Sequence, residues 1–228
     1  MIFAVINQKG GAGKTTLSVH LAGYLRGLGH SVAFIDNDPQ ASASRWVSAA
    51  LPDVTLAAIT DANTLVEQLQ ELDRTHDYVV CDGSPRLNEQ THVLMYFAAK
   101  ILIPVLPSAL DVHATLETKT AIDRVAEARA ADGLSEPAAT IVLNKVRAIS
   151  EQGKLVRKVL RDMGLPIADT KLGLRDAYAK AVVDDSVVTK PQTGKRINKG
   201  QQQAAAELIQ LFKEVLPHEH DNDSRQAA

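Results

Sequence analysis

The sequence predicts one α/β domain built on a doubly wound, mostly parallel β-sheet with helices on both faces. Short apolar segments of strand length alternate along the chain with longer segments of helical periodicity. The short segments are almost continuously apolar, which is typical of strands that helices cover on both faces. The chain has 228 residues, 45% of them hydrophobic, so it is long enough to bury a full core. We expect the domain to span residues 1–216 and a polar tail, 217–228, to be disordered.

The individual elements follow from the apolar patterning in chain order. The predicted strands are 2–6, 31–35, 78–81, 101–106 and 139–143. The predicted helices lie near 14–28, 61–74, 88–99, 111–131, 151–163 and 200–215, and a further helix after DNDPQ carries Trp46 as a packing residue. Pro104 and Pro107 are unusual in a central strand, which indicates an edge strand or a rim that faces a ligand or partner. Ligands of such sheets bind beyond the carboxyl ends of the strands, so the residues after each strand are the functional candidates.

The first strand leads into NQKGGAGKTT, residues 7–16, which has the pattern of a phosphate-binding loop. Its glycines let backbone N–H groups surround phosphate oxygens at the start of the following helix. Lys14 is expected to bind the β- and γ-phosphates, and the Thr15 hydroxyl to ligate Mg²⁺. The loop departs from G-x-x-x-x-G-K-[ST] because Gln8 occupies the first glycine position and a second lysine, Lys9, follows it. The predicted nucleotide-binding residues of this loop are Gly10, Gly11, Ala12, Gly13, Lys14, Thr15 and Thr16.

Acidic residues follow the next two predicted strands. Asp36 and Asp38 lie in FIDNDPQ, and Asp82 lies in YVVCDGSP. Carboxylates at these positions could hold a Mg²⁺-bound water and orient an attacking water. The alternative is a turn-forming aspartate that closes a strand, and the neighbouring phosphate loop favours the functional interpretation.

The last two predicted strands also end in polar side chains. In PSALD, Ser108 or Asp111 is expected to cap the following helix. In LNKV, the side-chain amide of Asn144 offers both a donor and an acceptor, which suits the edge of an adenine base.

Composition excludes several classes of protein. No apolar segment approaches the ~18–20 residues of a membrane-spanning helix, and the first strand is too short for a signal peptide. The single cysteine, Cys81, excludes a disulfide framework within one chain and indicates a cytoplasmic setting. The formal net charge is −2, yet residues 145–200 contain thirteen Lys and Arg against six Asp and Glu. This asymmetry predicts a local basic face.

Taken in order, these stretches resemble the ParA/MinD group of P-loop ATPases with a deviant phosphate loop, and most of all the short ParA-type DNA-partition ATPases. The matching stretches are KGGAGKTT, DNDPQAS, YVVCDGSP, IPVLPSALD and LNKV, all within residues 1–145. The short subclass lacks an N-terminal DNA-reading domain, and no segment precedes the first strand here. DGSP departs from the D-x-P-P-like sequence of relatives, which puts only the local turn in doubt.

The resemblance implies an ATPase of weak basal activity that binds ATP and Mg²⁺ and forms an ATP-dependent nucleotide-sandwich homodimer. In such a dimer Lys9 reaches the phosphates held by the partner subunit, whereas Lys14 and Thr15 serve their own subunit. A cationic group that arrives from the partner stabilises the transferring phosphoryl group only after dimerisation. ATP binding, dimerisation and hydrolysis are then conditional on each other.

The resemblance also implies roles for the remaining candidates. Asp38 would position the hydrolytic water, and Asp36 and Asp82 would hold the water shell of the metal. Asn144 would contact adenine, and Pro107 would lie on the nucleotide-side surface of the dimer.

Two kinds of macromolecular partner are implied. The basic residues are expected to bind the phosphate backbone of DNA without sequence preference. The candidates for this contact are Lys154, Arg157, Lys158, Lys195, Arg196 and Lys199. The resemblance adds an activating centromere-binding or cargo-adaptor protein, a plasmid, chromosome or protein assembly as cargo, and a nucleoid-associated place in the cytoplasm.

Two alternatives stay open at this point. A MinD-like ATPase would bind membranes through a C-terminal amphipathic helix, and the last predicted helix has an apolar stripe at Leu208, Leu211, Phe212 and Val215. Such a stripe is more often part of a core than a membrane anchor, and no membrane partner is expected. The second alternative is a localisation adaptor that retains the fold without hydrolysing ATP.

Overall fold

The structure, a computed structural model, describes residues 1–58, 61–147, 151–189 and 198–216. The predicted tail, 217–228, and residues 190–197 before the last helix lie outside the described residues. In chain order the elements are β1 (Ile2–Val5), α1 (Lys14–Gly27), β2 (Val32–Asp36), α2 (Ser42–Ala50), β3 (Thr55–Ala58), α3 (Ala62–Thr75), β4 (Tyr78–Asp82), α4 (Glu89–Phe97), β5 (Lys100–Val105), α5 (Ala109–Ala131), β6 (Ala138–Leu143), α6 (Glu151–Asp162), α7 (Asp176–Val183) and α8 (Lys199–Val215).

The strands form one six-stranded sheet in the order β3-β2-β4-β1-β5-β6, and all five neighbouring pairs are parallel. This confirms the predicted α/β fold of a P-loop NTPase. β1 lies between β4 and β5 near the middle of the sheet, so the phosphate loop that follows it leaves from the centre of the carboxyl edge.

Hydrophobic cores cover both faces of the sheet, which explains why its strands are almost continuously apolar. Successive side chains of a strand point to opposite faces. Phe3 and Val5 pack in the core formed with α1, α2, α7 and α8, whereas Ile2 and Ala4 pack in the core formed with α3, α4, α5 and α6. All four side chains are at most 4% exposed.

The sequence-based prediction missed β3 and α7. β3 has four residues, TLAA, and lies at the edge of the sheet, so only one of its faces carries a large apolar side chain. α7 has eight residues and buries only Ala177 and Ala181, which leaves no periodic apolar stripe to recognise.

Pro104 lies in an interior strand. β5 pairs with β1 on one side and with β6 on the other, where Pro104 is opposite Val142. The edge-strand interpretation is therefore wrong, and the rim interpretation holds because Pro104 is one residue from the carboxyl end of β5. Pro107 follows on that rim, and Ser108 caps α5 by accepting a hydrogen bond from a backbone N–H of its first turn.

The apolar stripe of α8 is part of the core. Leu208, Leu211 and Phe212 are fully buried and Val215 is 5% exposed, so this face has no surface left to meet a membrane. The helix begins with a capping box in which Asn198 and Gln201 satisfy each other's backbone N–H groups. Within the described ranges, no helix is long and apolar enough to cross a membrane.

Candidate functional site

The carboxyl ends of β1, β2 and β4 bring the predicted nucleotide-binding segments together. Asp36 at the end of β2 is in register with Asp82 at the end of β4, and Val5 of β1 is opposite the same Asp82. Gly83 allows the close approach, since a Cβ there would lie 2.8 Å from the Val5 carbonyl oxygen. The phosphate loop and both acidic segments therefore meet at one place on the edge of the sheet.

The phosphate loop has the backbone conformation that its glycines permit. Gly11 and Gly13 have φ angles of 76° and 97°, in the left-handed region that residues with a Cβ rarely adopt. Gly13 is the N-cap of α1 and contributes no side-chain hydrogen bond to it. The first backbone N–H groups of α1 are thus available to an anion at the positive end of the helix dipole.

Asn7 holds the start of the loop. It is fully buried, and its Nδ2 donates a hydrogen bond to the Pro104 carbonyl at 2.7 Å. Its Oδ1 accepts the backbone N–H of Lys9 at 3.0 Å. One amide therefore joins β5 to the first turn of the loop and sets the direction in which Lys9 leaves the strand.

Two consecutive residues after β6 hold the loop's middle. Asn144 Nδ2 donates to the Ala12 carbonyl at 2.7 Å, and Lys145 Nζ donates to the Gly11 carbonyl at 2.8 Å. Asn144 Oδ1 also accepts the backbone N–H of Lys145, which has a left-handed φ of 51°. Sequence reasoning counted Lys145 only among the basic residues and missed its contact with Gly11 and this role of Asn144. The adjacent polar pair in LNKV was the only signal. Contact of Asn144 with adenine stays a prediction.

The two lysines of the loop have different environments. Lys14 is 7% exposed, and its Nζ donates to the Lys9 carbonyl at 3.3 Å. Burial lowers the pKa of the Lys14 ammonium, an effect that the charges of Asp82 and Asp38 oppose. The Lys9 side chain is half-buried, and its ammonium has no hydrogen-bond or ion-pair partner among the described residues. Lys14 therefore points into the phosphate loop of its own subunit, whereas the Lys9 ammonium is available for a further contact.

Asp82 and Thr15 provide a site that fits Mg²⁺. The Thr15 hydroxyl donates to Asp82 Oδ2 at 2.7 Å. Asp82 is 1% exposed, and its other oxygen, Oδ1, is buried without a hydrogen-bond partner among the described residues. Burial raises the pKa of Asp82 to about 7, and the charge of Asp36 adds to the rise, while hydrogen bonds from Thr15 and Ser18 and the charge of Lys14 oppose it. A buried oxygen with no donor and a raised pKa suit a cation or its bound water.

Asp36 and Asp38 both accept hydrogen bonds from the backbone that follows them. Asp36 Oδ1 accepts the N–H of Asp38 at 3.0 Å, and its Oδ2 accepts the N–H of Ser44 at 2.7 Å. Asp38 Oδ1 accepts the N–H of Gln40 at 3.0 Å. The turn-forming geometry considered as an alternative is therefore present. It does not exclude function, because each carboxylate oxygen has a second lone pair and Asp38 is only half-buried.

Of the predicted DNA-binding residues that the structure describes, Arg157 and Lys199 lie at opposite ends of α8. Arg157 of α6 lies 3.6 Å from Asp169, whose backbone N–H donates to Glu214 near the C-terminal end of α8. Lys199 is the first residue of α8, about 22 Å away along the helix at 1.5 Å per residue. Lys158 is exposed next to Arg157. The Lys154 side chain, Lys195 and Arg196 lie outside the described part of the chain.

A cavity lies at the N-terminal end of α8. Its volume is about 340 Å³, and Arg175, Asp176, Lys180, Asn198 and Gln201 are among the residues that line it. Arg175 is fixed by Glu207, which accepts from its Nε at 3.0 Å. Sequence reasoning listed neither Arg175 nor Lys180, because only the packing of α7 against α8 brings them beside Lys199.

This cavity lies toward the nucleotide end of the sheet. Lys100, the first residue of β5, donates from Nζ to the carbonyl of Val215 at 2.6 Å. The C-terminus of α8 is therefore at the amino end of the sheet, and its N-terminus points toward the carboxyl end that carries the phosphate loop.

Comparison with known proteins identifies the family to which this chain is similar. A family model described as the CobQ/CobB/MinD/ParA nucleotide binding domain matches residues 3–188. The chain is 34% identical over 218 residues to the "Maintenance of carboxysome distribution protein A" of Halothiobacillus neapolitanus, covering 94% of this chain and 95% of that protein. It is 26% identical over 180 residues to "Protein ParA" of Rhizobium radiobacter, covering 78% and 80%.

Solved structures show the same fold. Apo McdA from Cyanothece superimposes with a TM-score of 0.71 at 16% identity, covering 94% of this chain and 97% of that one. The cell division ATPase MinD of Pyrococcus furiosus superimposes with a TM-score of 0.64 at 17% identity, with the same two coverages of 94% and 97%.

Proposed function

This chain belongs to the CobQ/CobB/MinD/ParA nucleotide-binding family, and we propose that it is an ATPase that dimerises on ATP, binds DNA without sequence preference in that state, and positions a cargo. One observation gives the proposal its main support: the two lysines of the phosphate loop have different environments. Lys14 is buried and directed into its own site, while the Lys9 ammonium beside it has no partner among the described residues.

Within one subunit, the residues of the site divide the work of holding the nucleotide. Lys14 and the N–H groups at the start of α1 bind phosphate oxygens, and Thr15 and Asp82 hold Mg²⁺. Mg²⁺ neutralises charge on the phosphates when it is bound. Asp38, half-buried at the mouth of the site, orients the attacking water.

Lys9 acts on the nucleotide of the partner subunit. An ammonium without a local partner is available for a second molecule, and it adds positive charge to the transferring phosphoryl group only in the dimer. Whatever free energy ATP adds to dimer formation, dimer formation adds to ATP binding, since the linkage is reciprocal. ATP hydrolysis therefore limits the lifetime of the dimer.

The cavity at the N-terminus of α8 supplies the DNA contact. Lys180 lines it, Lys199 is the first residue of α8 beside it, and the positive end of the α8 dipole adds to their attraction for phosphate. A dimer presents two such cavities, so its affinity for DNA exceeds that of a monomer through the effective concentration of the second contact. Binding through phosphates alone falls steeply with salt.

The cargo proposed first is a large protein assembly. The relative from H. neapolitanus is named for carboxysome distribution and is similar along almost the whole of both chains. Plasmids and chromosomes are the other cargoes, since similar proteins include "Protein ParA" and the "Chromosome-partitioning ATPase Soj" of Thermus thermophilus. An activating centromere-binding or cargo-adaptor protein stimulates hydrolysis and releases the dimer from DNA, within the nucleoid region of the cytoplasm.

Three variants test the proposal when ATP turnover, sedimentation and binding of random-sequence duplex DNA are measured with and without MgATP. Lys14→Ala should lose nucleotide-dependent dimerisation. Lys9→Ala should lose at least a hundredfold in turnover while it retains MgATP affinity, since trans-acting cations contribute about 10³–10⁵ in rate. Asp38→Ala should accumulate as a DNA-bound dimer.

The matched control is Lys119→Ala, which removes a half-buried lysine of α5 that pairs with Asp123 outside the phosphate loop. It should behave as the wild type in all three assays. Normal turnover in Lys9→Ala would refute the trans role of that lysine. Failure of the ATP-bound wild type to shift random-sequence DNA at low salt would refute the DNA-dependent part.

Both alternative functions have a decisive measurement. Membrane binding through α8 is disfavoured because its apolar stripe is buried, and flotation of the ATP-bound protein with anionic liposomes would reinstate it. A non-hydrolysing adaptor predicts no turnover even with DNA and the cognate activator present.

A further inference from the structure

An aromatic cluster lies behind the nucleotide site and is not part of it. It consists of His20 from α1, Trp46 from α2 and Tyr178 from α7. The His20 ring packs edge-on against Trp46 with centroids 5.3 Å apart and against Tyr178 with centroids 5.8 Å apart. The cluster therefore joins the helix after the phosphate loop, the helix after the Asp36–Asp38 segment and the helix that leads toward α8.

His20 connects the cluster to the phosphate-loop side of the site. It is fully buried, and its Nδ1 lies 2.6 Å from the carbonyl oxygen of Thr16. A carbonyl can only accept, so Nδ1 carries the proton. Burial lowers the pKa of His20 to about 4, so the ring is neutral near pH 7.

Trp46 connects the cluster to the acidic side of the site. Ser44, two residues earlier in α2, donates its backbone N–H to Asp36 Oδ2 at 2.7 Å. Because Ser44 and Trp46 share one nine-residue helix, a displacement of Asp36 moves the indole ring with it.

The indole N–H reaches the segment after α7. Trp46 Nε1 donates to the carbonyl of Ser186 at 3.0 Å, a contact between residues 140 positions apart. The neighbouring Val187 is 2% exposed and packs on Gly23 of α1, where even an added Cβ would lie 3.1 Å from its methyl group. Residues 186–188 are thus held on α1 and α2.

The cluster also has an unused hydrogen-bonding pair. His20 Nε2 is an acceptor and the Tyr178 hydroxyl is a donor, and both are buried with no partner among the described residues. Buried polar groups are costly to leave unpaired. A shift of α7 relative to α1 would change the surroundings of both groups, because they come from these two helices.

We propose that Trp46 is a positioning residue that couples the nucleotide state of the Asp36 segment to residues 184–189 at the end of α7. The coupling rests on the proposed binding of MgATP, but it does not require DNA. Asp36 would help to hold the water shell of Mg²⁺, and any displacement of its carboxylate would pass through the Ser44 N–H to α2 and through the indole N–H to the Ser186 carbonyl.

The test is hydrogen exchange of the full chain with and without saturating MgATP, with nucleotide affinity measured separately using a fluorescent ATP analogue. The amides of Asp184 and Ser186 are suitable reporters, since both donate within the last turn of α7, to Lys180 and Ala181. In the wild type, MgATP should change their exchange rates at least threefold. Trp46→Phe retains a ring and lacks the N–H, and it should abolish this response while MgATP affinity stays within threefold.

Tyr96→Phe is the matched control, because it removes one aromatic donor, to Asp132, away from the cluster. It should respond as the wild type. An unchanged response in Trp46→Phe, or no response in the wild type, would overturn the coupling.

A second measurement needs no variant of the cluster. Trp46 is the chain's single tryptophan, so its emission reports on this cluster alone. MgATP should shift that emission in the wild type and leave it unchanged in Lys14→Ala. Equal emission of the wild type with and without MgATP would overturn the proposal, even if Trp46→Phe does not fold. Loss of DNA binding would contradict the proposed function and leave the coupling intact, whereas absence of MgATP binding contradicts both.

Discussion

Replacing Asp82 with asparagine should stabilise the nucleotide-free protein at neutral and alkaline pH. Asp82 is 1% exposed and one of its oxygens has no hydrogen-bond partner among the described residues. Burial raises its pKa from 3.8 to about 7. The folded state therefore binds more protons than the unfolded state between these two values, and the free energy of unfolding falls as pH rises across that window.

The size of the effect follows from the shift. A pKa difference of about three units corresponds to a destabilisation of about 4 kcal/mol, at 1.36 kcal/mol per unit. This destabilisation of the folded state is present in full above pH 7 and is absent below pH 4. Asp82→Asn removes the ionisation and retains an oxygen that can accept from Thr15. The free energy of unfolding of the variant should exceed that of the wild type by up to about 4 kcal/mol at pH 8. The two values should converge toward pH 4.

Urea denaturation between pH 4.5 and about 8, with a chelator and no nucleotide, measures this difference. Asp162→Asn is the control, since Asp162 is exposed at the end of α6, and surface changes of this kind usually stay within about 0.5 kcal/mol. A constant difference between Asp82→Asn and the wild type across the range would refute the reasoning. So would a variant less stable than the wild type at pH 8.

Three further predictions concern the loop, the α7–α8 contact and DNA. Gly13→Ala should lower the free energy of unfolding by about 1–3 kcal/mol in urea denaturation, because φ is 97° and the new Cβ would lie 2.2 Å from Asn144 Nδ2. Gly10→Ala is its control and should lower it much less, since the new Cβ would have no atom within 4 Å. Glu207→Gln breaks the ion pair with the N-cap arginine of α7 and should lower the unfolding free energy by about 1–2 kcal/mol; no change would show that the pair contributes nothing. Lys199→Ala should weaken DNA binding equally for all sequences and reduce the salt slope by about one, and an unchanged slope would exclude a phosphate contact.

The phosphate loop could be predicted from the sequence because the residues that give it its conformation and its ligand chemistry are adjacent in the chain. Glycines at positions 10, 11 and 13 followed by Lys14 and Thr15 specify both the backbone conformation and the ligand chemistry. The apolar strand before the loop determines that it lies at a carboxyl edge of the sheet. Asp36 and Asp82 could be predicted for the same reason, since each ends a buried strand.

Features that join distant parts of the chain could not be predicted in this way. Nothing in LNKV shows that Asn144 and Lys145 bind the carbonyls of the phosphate loop, because that contact depends on the place of β6 in the sheet. Arg157 and Lys199, which were counted together in the sequence, are separated by the length of α8 in the structure.

The sequence by itself therefore determined the fold class, the phosphate loop and the position of the acidic residues at strand ends, since each depends on neighbours in the chain. Only the tertiary structure decided the pairing of Asp36 with Asp82, the burial of the α8 stripe and the reach of Trp46 to Ser186. The physical reason is that strand order and helix packing determine which distant residues meet. The local pattern of apolar and polar residues specifies each element but does not specify the order of the strands in the sheet.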